Sequence, residues 1–471
     1  MSLLSAKWPR GEFLKTFALA LTNVLLVPAV IAVGISMGII MLTPARMTLV
    51  SGVVIAIYLL IAARRPLYGL LIWLVAQPLA DVYVNLSLGK SFPDISPTRI
   101  AIAFLTALVL ARAAVGRMKL ASFTKVELVA LVFLAGIALS APRSTRGWLS
   151  LQSIFDLYFV PVMVYFLAKN LVRRKEQLKA VALALVILGA YVGLYAAYEQ
   201  FTGNILFVVG EVGNVEYGNG VRILRGLLGH PHEFGRILGI AIPFNFYFVL
   251  EEKRPVKRFL FVLALGIMFV GLFATYRRTA WIAALVSLFV IQWFYPRFRN
   301  LFLVLLVGAF GLMYLYRDQL EDSAVSARVQ QGNTATLNGR TEGWNYAIEL
   351  WKRSPVTGHG YGQFSVIAKR EGQADTAIES QYLSILVSAG LFGFAPYVLL
   401  LALIPLSFVG TFRHNHDPTR RWLIVVLWGA HLSFLVNAYT GTINHLITTS
   451  ALFLLAGALA QLHWPDLPET G

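Results

Sequence analysis

Apolar residues run along this chain in long blocks, broken by short charged or glycine-rich stretches. Runs of about 18 residues or more with few charges are long enough to cross a bilayer as helices. By length and flanking charge the blocks fall near 17–42, 47–63, 67–80, 98–114, 124–141, 150–170, 178–200, 236–250, 257–275, 279–295, 299–317, 380–408, 421–440 and 443–462. The blocks at 67–80 and 236–250 are short, and read as complete spans, re-entrant segments or stretches buried in protein. The predicted fold is therefore an all-α polytopic integral membrane protein with about 12–14 transmembrane helices. Lys7, Arg10 and Lys15 precede an apolar run, Phe17–Leu42, that is too long for a signal-peptide core and predicts an uncleaved first span.

The charges between blocks add a topology. With the N-terminus inside, alternate loops place Arg64–Arg65, Arg112 to Lys119, Arg173–Lys175, Lys253 to Arg258 and Arg420–Arg421 on the inner side. Outer segments are nearly balanced in acid and base. That asymmetry follows the positive-inside rule and predicts both termini in the cytoplasm. Four stretches follow: N-terminal transmembrane helices (1–177), a transmembrane core (178–317) with an outer loop at 201–235, a long outer loop (318–377) and three C-terminal helices (378–471). Within the long loop, Trp344, Ile348 and Trp351 recur at i, i+4 and i+7. They predict an amphipathic helix over Asn338–Ser354 with those three on one face, lying in the membrane interface and stopped by Pro355.

Composition sharpens the class without changing it. Of 471 residues, 58% are hydrophobic and only 13% charged, about half of what a soluble domain carries. The net charge of +17 would suggest nucleic acid in a soluble protein; here basic inner loops explain it, and no nucleic-acid partner is expected. The chain has no cysteine, so thiolate and disulfide chemistry are excluded. No phosphate-cradling glycine loop, dinucleotide fingerprint or Ser-His-Asp signature occurs. His230-Pro-His232 has the wrong spacing for two ligands on one helix face, and no metal site or cofactor is expected. His414 and His416 read as solvated inner-loop residues, and His431 and His445 as helix–helix hydrogen-bonding groups.

The charge that stands out is the pair Arg277–Arg278, set in a tight outer turn between two apolar blocks with no acid nearby in sequence. Cations on the disfavoured side of a membrane boundary read as functional, and burial at the turn is expected to favour Arg278. Arg225 and Arg340, with Arg222 beside them, come from separate outer loops. Guanidinium groups from several loops suit a pyrophosphate through bidentate hydrogen bonds. Pairing with Glu211, Glu216, Glu233 or Glu342, or with lipid headgroups, accounts equally well for any single one of them. Glu379 opens the block at 380–408. It reads either as a general base for an acceptor hydroxyl or as a helix-start acid favoured by the macrodipole.

These outer-face residues resemble a known family. Phe273-Ala-Thr-Tyr-Arg-Arg-Thr-Ala-Trp281 is similar to the Ser-Arg-x-Ala-Trp element of the O-antigen ligase and polymerase superfamily. Gly339-Arg340, Trp344, Ala347, Pro355 and Gly358-His-Gly-Tyr-Gly-Gln-Phe364 resemble its loop signature, and Tyr195–Gly203 and Arg225–Pro231 two weaker elements. The resemblance covers roughly 190–395. It implies a GT-C-like, metal-independent membrane glycosyltransferase of the bacterial inner membrane, with the long loop and active site facing the periplasm. The implied donor is an undecaprenyl-pyrophosphate-linked oligosaccharide, and the implied partners are membrane lipids, a flippase and a chain-length regulator. By position Arg278 matches the family's Ser-Arg arginine, Arg277 stands where Ser is usual, and Arg225 and Arg340 match the loop arginines. His359, Tyr361, Gln381 and Tyr382 become candidate sugar or acceptor contacts, with Arg278 and Glu379 as catalytic candidates. Ligases of the family commonly carry His-Asn-x-Tyr/Phe-Leu where this chain has Glu379-Ser-Gln-Tyr-Leu383. That departure favours a repeat-unit polymerase. An O-antigen ligase or protein O-glycosyltransferase is the nearer alternative, and a transporter or flippase of lipid-linked sugars the more distant one.

Overall fold

The computed structural model describes residues 44–83, 96–207, 216–217, 221–296, 298–300, 302–303, 307, 335–373, 378–414, 417–443 and 445–460. The chain divides between Arg64 and Arg65 into two units. The described part of the first is helix α1 (Pro44–Arg64). The second contains α2 (Pro66–Tyr83), α3 (Pro97–Ala114), α4 (Lys125–Ala138), α5 (Trp148–Leu171), α6 (Lys175–Thr202), α7 (Pro231–Glu251), α8 (Pro255–Ala274) and α9 (Arg278–Phe294). The long loop contributes α10 (Ala335–Arg353) and α11 (Phe364–Arg370). Then come α12 (Gln381–Leu406), α13 (Val409–His414), α14 (Pro418–Tyr439) and α15 (Leu446–Ala460). A two-residue antiparallel ladder, Glu216–Tyr217 with Val221–Arg222, lies in the 201–235 loop.

Among the described residues, eight helices are long and apolar enough to cross a membrane, and four shorter apolar helices accompany them. The protein is an all-α polytopic membrane protein, as the blocks predict. The blocks at 17–42 and, for the most part, 299–317 lie outside the described residues. Helix starts follow local chemistry: proline at the first helical position, with Ser96 accepting from the Arg99 N–H (3.3 Å) and Asp417 from the Thr419 N–H (3.0 Å).

Hydrogen bonds join loops within each of the two sets that charge and alternation define. At one end Lys169 Nζ donates to the Ser122 carbonyl (2.8 Å), Arg173 to the Lys119 carbonyl (2.6 Å) and Lys175 to Asp417 (3.1 Å). At the other, Arg143 donates to the Thr357 carbonyl (2.9 Å) and Gln363 to Ser144 (3.1 Å).

The short block at 236–250 is the body of a 21-residue helix, α7, whose window is 89% buried in protein. Hydropathy missed its first turns because His232, Glu233 and Arg236 interrupt the apolar run. Packing tolerates the two charges because Glu233 and Arg236 pair with each other. Helix α7 sits at the centre, against α6, α8, α9, α14 and α15. Small residues allow this closeness. A Cβ on Gly235 would fall 2.3 Å from the Ala280 Cβ, so the first turns of α7 and α9 meet backbone to backbone.

The long loop docks by breaking a helix. Inside α12, Gly390 has φ +60° and ψ −161°, and the segment Pro355–Gly360 lies in the break. His359 and Gly360 donate backbone N–H groups to the Val387 and Ser388 carbonyls (2.8 and 2.9 Å). Leu391 and Phe392 donate to those of Pro355 and Val356 (2.9 and 3.0 Å). The broken helix thus finds protein partners for backbone groups that lipid could not satisfy. Replacing Gly390 by alanine places a Cβ 2.4 Å from the Val356 backbone at a left-handed φ. A loss of about 2 kcal/mol or more is expected, measured as thermal unfolding in detergent, with faster proteolysis of the loop.

Helix α10 forms where the periodicity places it, but its buried face differs. Tyr346, Ala347 and Leu350 pack with Phe364, Ala368, Ile378 and Val387, while Ile348 is exposed. The two tryptophans are partly buried at the margins, Trp344 against Tyr439 with ring centroids 5.2 Å apart. Smaller residues fit the close contact with α12, and the indoles suit the rim.

Candidate active site

The amino end of α7 collects the charges. His230 caps the helix with its side chain accepting from the His232 N–H (3.3 Å), and Pro231 follows at the first helical position. The two imidazoles stack, centroids 5.0 Å apart and 7° from parallel. Three residues on, Glu233 and Arg236 form an ion pair (2.5 Å) with each side chain 1% exposed. Arg236 also donates to the carbonyls of Thr442 (2.8 Å), Gly441 (2.7 Å) and Asn437 (3.3 Å). Glu233 accepts from the Thr448 hydroxyl (2.8 Å). This pair ties the first turn of α7 to the connection between α14 and α15.

Two other segments are brought to the same place. The loop bearing Arg225 is held by Glu199, fully buried at the end of α6. Its carboxylate accepts the N–H groups of Arg225 (2.8 Å) and Gly226 (3.0 Å). The α8–α9 turn runs through Tyr276, whose φ of +47° is a left-handed conformation rare outside glycine. Around it Thr275 Oγ1 donates to the Leu272 carbonyl (2.7 Å). Trp281 donates to the same carbonyl (2.9 Å) and stacks on Phe273 at 5.1 Å. Such strain persists only where the surroundings enforce it, and it gathers at functional sites.

The result is a convergence of arginines on the histidine pair. Burial and then the charges of Arg277, Arg225 and Arg236 push His230 down to about 3. Arg277, Arg236 and Arg340 all lie within electrostatic reach of His232. Arg340, on α10, forms an ion pair with Glu379 just ahead of α12. Arg225, Arg277 and Arg340, predicted from separate loops, therefore act electrostatically on the histidine pair at the start of α7.

Arg278 departs from expectation. It is the first residue of α9 and is exposed, whereas Arg277 caps that helix, is half-buried, and acts on both histidines. The turn buries the first arginine of the pair because the strained Tyr276 swings the chain before α9 begins. The candidate sugar contacts are engaged with protein groups. His359 Nε2 lies 2.6 Å from the Leu350 carbonyl, and Tyr361 packs edge-on against Tyr158. Gln381 donates to the Tyr158 hydroxyl (2.9 Å) and accepts from the Ile443 N–H (2.8 Å), while Tyr382 donates to the Leu435 carbonyl (3.3 Å). They hold the loop, α5, α12 and the α14–α15 connection together at the rim.

Glu199 and Arg236 were missed from sequence, and Glu233 was read only as a possible partner for an outer arginine. An acid closing an apolar block and an i,i+3 acid–base pair opening one were the available signals.

Several cations near one helix terminus form a site whose charge suits an anionic ligand. Residues 263–398 match the family model described as O-antigen ligase, and this stretch supports an O-antigen ligase-like superfamily assignment. The matched stretch carries Arg277, Arg278, Arg340 and Glu379; Arg225, His230 and the Glu233–Arg236 pair lie before it. The match supports glycosyl transfer of the O-antigen ligase and polymerase type as the general activity. No curated protein sequence matches the chain.

Proposed function

We propose that this protein polymerises lipid-linked oligosaccharide repeat units at the periplasmic face of the bacterial inner membrane. The donor is an undecaprenyl-pyrophosphate-linked glycan, and the lipid pyrophosphate leaves. The observation that carries this reading is that Arg225, Arg277 and Arg340, from separate loops, all act electrostatically on the histidine pair at the amino end of α7. Fixed guanidinium groups and a helix N-terminus stabilise the negative charge that grows on phosphate oxygen as the glycosidic bond breaks. Glu379 stands beside Arg340 at the head of α12, where a carboxylate can take the proton of an acceptor hydroxyl. The glutamate, in place of the histidine usual in ligases, favours a sugar hydroxyl of another lipid-linked unit as acceptor.

Purified enzyme with defined undecaprenyl-linked repeats tests the reading. A ladder of chain lengths is expected; single transfer to lipid A–core or to protein would make it a ligase. In the same assay Glu379→Gln is expected to lower kcat about a hundredfold, with KM for the donor within a few-fold. Turnover unchanged across pH would remove Glu379 from the chemistry.

A further inference from the structure

The histidine that caps α7 carries a constraint of its own. Pro231 has no N–H, so the first donor the helix offers is that of His232, and it points at Nδ1 of His230 (3.3 Å). An Nδ1 that accepts a hydrogen bond is unprotonated. The proton of the neutral ring must therefore sit on Nε2. The ring is fixed in orientation by its stack on His232, which is almost fully buried, while His230 itself is half-exposed. The charges of Arg277, Arg225 and Arg236 bear on it. Three guanidinium groups and the helix dipole oppose a further cation, so His230 stays neutral through the physiological range. What it presents is a directional N–H that adds no charge.

We propose that His230 is a catalytic hydrogen-bond donor whose Nε2–H contacts a phosphate oxygen of a polyprenyl pyrophosphate beside Arg225 and Arg277. This rests on the donor class given under Proposed function. The arginines supply charge, and the imidazole selects the position of one oxygen. The helix dipole and the fixed tautomer make that donor permanent, so no proton has to be delivered before the bond to the sugar breaks.

The test is equilibrium titration of the detergent-solubilised full chain with undecaprenyl pyrophosphate. Asparagine preserves the helix cap but is too short to reach the ligand. His230→Asn is therefore expected to keep the thermal midpoint within a few degrees and weaken binding by about tenfold or more. Equal affinity in the Asn variant overturns the role of His230 alone. Absence of binding by the unmodified chain overturns the donor class, and the inference with it. A second measurement needs no variant: ¹⁵N NMR of histidine-labelled protein at pH 6 is expected to show His230 as the neutral Nε2–H tautomer. An imidazolium or an Nδ1–H tautomer there would overturn the proposal even if the substituted chain failed to fold.

Discussion

Arg277→Ala is expected to lower kcat/KM by roughly 10²–10³-fold, the range seen when one fixed donor is removed from a developing oxyanion. Arg277 is half-buried, caps α9, and lies with Arg225 and Arg236 around His230. Its turn is held against α7 by the Gly235–Ala280 contact and braced between α8 and α9 by the Phe273–Trp281 stack, so its charge enters the site already positioned. Arg278→Ala is expected to cost no more than about tenfold, because an exposed guanidinium is screened by water and salt. Steady-state kinetics on lipid-linked donor decides between them. A larger loss for Arg278 would put the pyrophosphate on the outer side of the turn and restore the assignment that motif position alone suggests.

Arg236→Ala is expected to produce the largest stability loss, about 3–5 kcal/mol, the range for breaking a buried ion pair by removing one partner. It takes the Arg236 guanidinium from the Glu233 carboxylate, 1% exposed, and removes the donor to the Asn437 carbonyl in α14 and the Gly441 and Thr442 carbonyls of the α14–α15 connection. Lysine should not rescue it, since one ammonium cannot span the positions that two guanidinium nitrogens reach. Glu233→Gln should be milder, because the amide oxygen still accepts. Thermal unfolding in detergent measures all three. A loss below about 1 kcal/mol for the alanine variant would mean that water reaches the pair and that the α14–α15 connection is held by other contacts.

The two predictions separate charge that acts on a ligand from charge that holds the fold, and that separation was invisible in sequence. Arg225, Arg236, Arg277 and Arg278 are all arginines near the outer ends of apolar blocks. Block lengths located the spans, because lipid requires a continuous apolar stretch of fixed length. The alternation of loops grouped Arg225, Arg277 and Arg340 on one side, because charge asymmetry accumulates over the whole chain. The amphipathic helix in the long loop was readable to within a few residues, since helical period is a local property. Its buried face was not, because Tyr346 and Leu350 are selected by the surface of α12, which lies beyond the helix itself.

The amino-acid sequence alone determined that this is a many-span helical membrane protein with arginines in several of the loops between its spans. Hydrophobic length, charge bias and motif order are properties summed along the chain. Only the tertiary structure decided which arginines meet. The left-handed Tyr276 and the Gly235–Ala280 contact face Arg277 toward the histidines and leave Arg278 outside. The buried carboxylates Glu199 and Glu233 fix the loop of Arg225 and the side chain of Arg236. These outcomes depend on a backbone dihedral and on close approach between helices distant in sequence, which no local pattern of residues records.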